Sequence, residues 1–106
     1  MTEWIDAARE GSLAPGEHRV IEIDGTEVAL FNIDGDYFAI QDACSHDGTE
    51  IASGQLAGCE IVCPRHGARF CLKTGKVLSP PAYEDIATYP VRVSAGRIEI
   101  GTEPEN

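Results

Sequence analysis

At 106 residues the chain has length for one domain with a modest core and little room for a second. Its composition, 42% hydrophobic and 25% charged, is that of an ordinary globular domain, and no apolar run approaches the length of a membrane span. A formal net charge of −10 argues against nucleic acid and anionic membranes as partners, and in favour of partners with basic surfaces.

The start, Met1-Thr2-Glu3-Trp4, has neither a basic nor an apolar leader, which predicts a cytoplasmic protein. Thr2 to Glu10 reads as one short helical turn ended by Gly11. His18 to Ile23 alternates as a strand, with His18 a structural residue. Asp24-Gly25 then turns into Val28-Ala29-Leu30-Phe31, and Asp34-Gly35 into Tyr37-Phe38-Ala39-Ile40. Asp-Gly between apolar strand segments is a strong hairpin cue, because both central residues need positive φ. Further strands are expected at Glu60 to Val62, Ala68 to Leu72, Lys76 to Leu78, Ile86 to Val93 and Arg97 to Ile100. Thr102 to Asn106 reads as a frayed tail. These elements predict an all-β fold of antiparallel strands, a small sandwich or partly open barrel forming a single domain over 1–106.

Between the early and late strands lie two short motifs, Cys44-Ser45-His46 and Cys63-Pro64-Arg65-His66, separated by residues 47–62. A zinc finger usually places its two cysteines on one arm and its two histidines on the other. Here each arm offers one thiol and one imidazole. That pattern suits a two-iron cluster in which one iron takes both cysteines and the other both histidines. Cys59 and Cys71 lie outside the pattern and read as packed thiols. Disulfides are the other reading of four cysteines, and a cytosolic setting disfavours them.

The second motif continues as Cys63-Pro64-Arg65-His66-Gly67-Ala68-Arg69-Phe70, which is similar to the C-P-x-H-G-x-x-F pattern of the Rieske ferredoxin family. Leu78-Ser79-Pro80-Pro81-Ala82 resembles the loop that covers the cluster in that family. Trp4, Gly16 and both Asp-Gly turns also fit, so the resemblance runs from Trp4 to Ile100. It implies one Rieske-type [2Fe–2S] cluster, with Cys44 and Cys63 on the inner iron and His46 and His66 on the outer one. It also implies a cluster-binding subdomain over about 42–82, inserted between strands of a base. Gly48 and Gly67 would let backbone N–H groups approach the sulfurs where a Cβ would crowd the turn. Leu78 and Ala82 would shield the cluster from water.

High-potential members of the family carry an extra cysteine in each ligand loop, joined as a disulfide. Thr49 and Arg65 stand at the positions to compare here. Those members also have a serine and a tyrosine that donate to cluster sulfurs, where this chain has Ala68 and Phe70. The resemblance is therefore to the soluble, low-potential branch, whose members pass single electrons from an NAD(P)H-dependent flavin reductase to the terminal oxygenase of an aromatic-ring dioxygenase. No G-x-G-x-x-G is present, and there is no room for a mononuclear iron domain, so catalysis would belong to partners. Asp42, Asp47 and Glu50, beside Arg65 and Arg69, are the expected docking charges. Two alternatives remain: the small Rieske subunit of another redox complex, such as an assimilatory nitrite reductase, and a zinc-stabilised structural module.

Overall fold

The computed structural model describes residues 3–45 and 48–105, which form eleven short strands and no helix. Strand β1 (Trp4–Arg9) replaces the helical turn expected there, its Thr2 lying outside the described residues. The deciding contact is distant in sequence. β1 pairs antiparallel with β11 (Arg97–Gly101), Trp4 opposite Gly101 and Arg9 opposite Arg97. Arg97 also bonds Asp6 at 2.7 Å, and the Arg92 guanidinium lies 4.2 Å from the centre of the Trp4 ring. A six-residue segment gains more from a sheet edge and a cation on its aromatic face than from a helix too short to propagate.

Strands β2 (His18–Ile23), β3 (Thr26–Ile33) and β4 (Asp36–Gln41) follow the two Asp-Gly turns, where Asp24, Gly25, Asp34 and Gly35 all have φ between 50° and 94°. The loops are therefore two residues long, with Ile23 opposite Thr26 and Ile33 opposite Asp36. β3 is the centre of the molecule. Its alternate side chains enter different cores: Val28 and Leu30 pack with Ile98 and Ile100, whereas Ala29 and Phe31 pack with Cys44 and Cys63. A strand covered on both faces has no polar side to show, and this is why Val28-Ala29-Leu30-Phe31 is a continuous apolar run. β4 repeats the division with Ala39 and Ile40.

Strands β5 (Gln55–Ala57), β6 (Glu60–Val62), β7 (Arg69–Cys71) and β8 (Val77–Ser79) then form a separate antiparallel sheet in sequence order. β5 has no alternation to announce it and only three residues. The chain returns through β9 (Thr88–Tyr89), which pairs with β4, and β10 (Val91–Ser94), which pairs with β11. The single strand expected from Ile86 to Val93 is thus two strands in two sheets. Pro90 lies at the crossing, where it has no N–H to give either ladder and its carbonyl accepts from Gly101 at 2.8 Å. The tail is tied rather than frayed over its described residues, since Thr102 N–H donates to Glu3 and Glu105 N–H to Thr88. The antiparallel all-β fold expected from the sequence is the one observed.

Candidate metal centre

The two motif loops share two backbone hydrogen bonds among their described residues. In the first, Cys44 N–H donates to Thr49 O at 2.8 Å and Gly48 N–H to Cys44 O at 2.7 Å. In the second, Cys63 N–H donates to Ala68 O at 2.7 Å and Gly67 N–H to Cys63 O at 3.1 Å. Each cysteine thus closes a ring with the fifth residue after it and accepts from the fourth. That fourth residue has φ of 78° in one loop and 77° in the other, a left-handed conformation that glycine adopts without Cβ strain. A Cβ on either would meet no described protein atom within 4 Å, and both N–H groups reach carbonyls, so within the chain itself it is the backbone angle that calls for glycine.

Cys44 and Cys63 are each 2% exposed and belong to one apolar cluster with Ile51, Ile61, Ala68 and Phe70. His66 is exposed, as are its loop neighbours Pro64, Arg65 and Gly67. His46 and Asp47 lie outside the described residues. The loops therefore bring two thiols into a shared apolar interior and leave His66 on the solvent side. None of the four cysteines is in a disulfide. This donor set fits a thiolate-and-imidazole cluster: deprotonated sulfur within the packed interior, neutral imidazole at the surface. Cys59 and Cys71 are half-buried and belong to neither motif loop.

Other side chains fasten the loops. Asp42, 6% exposed, accepts N–H bonds from Ile51 and Ala52, both at 2.9 Å. It is a buried clamp between the end of β4 and the segment after the first loop, and not the docking charge expected of it. Sequence gave no signal for that role beyond a carboxylate next to the loop. Glu50 remains exposed, and its carboxyl is held below the usual range by bonds from the Ser53 hydroxyl and N–H. The Ser45 hydroxyl donates to the Glu84 carbonyl, and Arg69 N–H donates to Ser79 Oγ at 3.1 Å, so the Pro-rich segment is tied to both loops. Of the two residues expected to cover the site, Ala82 is buried in the same cluster, but Leu78 is 46% exposed and faces outward. Ala68 and Phe70 are both fully buried.

The turn expected at Lys73-Thr74-Gly75 is a third loop of the same kind, a likeness not expected from the sequence. Cys71 N–H donates to Lys76 O at 2.9 Å and Gly75 N–H to Cys71 O at 2.8 Å, the same ring around a cysteine and a glycine at φ 74°. Burial pushes the Cys71 thiol up, but the Thr74 hydroxyl and the N–H groups of Thr74 and Lys73 outweigh it and lower its pKa. The shared C-x-x-x-G spacing was the available signal.

The family model of the Rieske [2Fe–2S] domain matches residues 3–90. The ferredoxin component of the naphthalene 1,2-dioxygenase/salicylate 5-hydroxylase systems of Ralstonia sp is 37% identical over 100 residues, covering 94% of this chain and 96% of that protein. Among solved structures, a chain from the complex of reduced oxygenase and oxidized ferredoxin in carbazole 1,9a-dioxygenase superposes with a TM-score of 0.91 at 26% identity, covering 97% of this chain and 96% of that one. The ferredoxin of carbazole 1,9a-dioxygenase from Nocardioides aromaticivorans IC177 gives 0.89 at 27% identity, covering 94% and 98%.

Proposed function

This chain belongs to the Rieske [2Fe–2S] family, and from that premise we propose that it is the ferredoxin of a ring-hydroxylating dioxygenase system. In this role it takes single electrons from an NAD(P)H-dependent flavin reductase and delivers them to a terminal oxygenase, without catalysing the oxygenation itself. Cys44 and Cys63 hold one iron, His46 and His66 the other, within a cluster-binding unit over about 42–82 of the single domain. The observation that carries the assignment is the pair of identically bonded loops, each placing a thiol in one apolar cluster.

A Rieske cluster supplies a site that gains and loses one electron. The chain's residues do the rest. The loop backbones place the two cysteines in one apolar cluster, where their sulfurs would hold iron. Ile51, Ile61 and Phe70 keep water from the cysteine side. Pro64 to Gly67 stand exposed, so a partner can approach the imidazole side closely.

Support for the dioxygenase system comes from the relatives, which are ferredoxin components across nearly their whole length. They favour it over the nitrite reductase subunit, and the family match sets aside the zinc module. No helix of the described residues can cross a membrane, and we assign the protein to the cytoplasm, where its reductase would find NAD(P)H. The test is twofold. Anaerobically purified protein should hold two irons and two sulfides per chain, with a Rieske EPR signal on reduction. It should then support product formation by a purified naphthalene 1,2-dioxygenase oxygenase or a related one, given NADH and a flavin reductase. Zinc in place of iron would sink the ligand assignment; a loaded cluster that no such oxygenase accepts would sink the carrier role.

A further inference from the structure

Among the described residues, four large apolar side chains are exposed: Val20, Leu78, Tyr83 and Val93. Tyr83 is the extreme case at 82%, and Leu78 accompanies it on the same Pro-rich segment. The two flank an open groove of about 220 Å³ lined also by Val77, Ser79, Pro80 and Ala82. This segment abuts both ligand loops through the Ser45–Glu84 and Arg69–Ser79 bonds, and Ala82, next to Tyr83, packs in the same cluster as Cys44 and Cys63. An apolar groove thus adjoins the loops through which an electron must leave.

Charge is divided unevenly along the chain. Residues 42–86 carry six acidic and four basic side chains, a net of −2; the remainder carries twelve and four, a net of −8. Most of the −10 therefore belongs to the rest of the chain, largely its turns and terminal segments, and not to the segment that presents the ligand loops. Asp42 is buried, its Oδ1 accepting from Ile51 and Ala52, so one of the six carboxylates is withdrawn from the surface. The exposed charges of this segment are of both signs, Glu50, Glu84 and Asp85 with Arg65, Arg69, Lys73 and Lys76, so a partner drawn to this end meets Tyr83 and Leu78 among mixed charges.

We infer that Tyr83, with Leu78 beside it, is the apolar anchor by which this ferredoxin docks its terminal oxygenase, on an oxygenase face that is apolar and close to neutral. This rests on the carrier role proposed above. The oxygenase is the occupant because a structural neighbour superposing at 0.91 comes from an oxygenase–ferredoxin complex, and because the groove is continuous with the loops where such contact has to occur. A single exposed tyrosine seated in a partner's pocket gives large contact area for few rotatable bonds, the usual character of an interface hot spot. Balanced charge makes the contact insensitive to salt.

Holoprotein variants binding the oxygenase that wild type serves, measured by calorimetry, test this directly. Tyr83→Ala should weaken binding at least about tenfold, Tyr83→Phe should retain most of it, and Leu78→Ser should weaken it less than Tyr83→Ala. Val93→Ser, on β10 in the sheet without ligand loops, should match wild type. Wild-type binding should change less than about threefold between roughly 0.05 and 0.5 M salt. Spectrum and midpoint potential should be the same in all variants. Unchanged binding by Tyr83→Ala overturns the inference while the carrier role stands. So does a loss confined to the reductase, a shifted midpoint that makes Tyr83 a cover for the cluster, or steep salt weakening. Failure of wild type to bind any oxygenase overturns the carrier role and the inference with it.

Discussion

The loops at 63–68 and 71–76 close with the same two hydrogen bonds, cysteine to the fifth residue and glycine back to the cysteine. They differ in what surrounds the sulfur. Cys63 is almost wholly buried among Ile51, Ile61 and Phe70 and is followed by His66; Cys71 is half-buried and followed by Lys73 and Thr74. The comparison separates two things a single motif confounds. The loop is a way of turning a chain tightly about a cysteine, and it does not by itself make a ligand. A second matching loop, an apolar wall and an imidazole at the right offset are what would convert it into half of a metal site.

The sharpest way to break that distinction is to remove the sulfurs. Cys44→Ser or Cys63→Ser should abolish cluster assembly, whereas Cys71→Ser and Cys59→Ser should retain full iron and sulfide. Metal analysis of the purified variants decides it, and loss of iron from Cys71→Ser would show that the third loop is more than a turn.

Next in size is the potential. No side chain at 68 or 70 can donate a hydrogen bond, so the more negative reduced state lacks two stabilising contacts. The wild-type midpoint is expected near the bottom of the Rieske range of about −150 to +300 mV. Ala68→Ser and Phe70→Tyr should each raise it by tens of millivolts, taking about 1 kcal/mol per hydrogen bond and ~59 mV per tenfold for one electron. Voltammetry tests both, and a wild-type midpoint in the upper half would refute the low-potential assignment.

The backbone contribution is smaller. Gly67→Ala places a Cβ at φ 77° with no protein atom within 4 Å, so the expected cost is conformational strain, about 1 kcal/mol in thermal or denaturant unfolding. Gly54→Ala is the contrasting case: its Cβ would lie 1.9 Å from the Val62 carbonyl oxygen, and the β5–β6 end of the sheet would have to move. If Gly67→Ala proves as damaging as Gly54→Ala, the loop is held by more than its angle.

The smallest effect concerns Cys71 chemistry. Because Thr74 and the Lys73 and Thr74 N–H groups favour its thiolate, alkylation of Cys71 should rise at lower pH than for an ordinary thiol. Thr74→Val removes the hydroxyl, raises the pKa and moves the rate–pH curve upward in pH. Peptide mass spectrometry after timed labelling reads this, and an unmoved curve would show that the hydroxyl contributes nothing.

Where chemistry is local, the sequence was informative. Asp-Gly turns favour positive φ from their own chemistry, and a thiol with an imidazole two or three residues later is a candidate ligand arm that a second such arm strengthens. What stayed hidden depended on partners far along the chain. WIDAAR carries no mark of its pairing with β11, Val28 to Phe31 does not say which core each side chain enters, and Asp42 reads as a surface charge until Ile51 and Ala52 are placed over it. Pro90 was visible as a residue but not as a sheet crossing. His66 was placed by its motif, and the structure adds that its loop faces solvent.

The bond from Thr102 N–H to Glu3 O puts both chain ends side by side on the sheet of β1, β10 and β11, whose packed residues include neither ligand cysteine. A tether attached at either end should therefore leave the ligand loops accessible. On an electrode, a terminal thiol or tag would hold the protein by its base and present the redox face to solution. A short linker between Glu3 and Thr102 would allow the chain to be reopened at the Asp24-Gly25 turn, giving a permuted carrier with the same face outward.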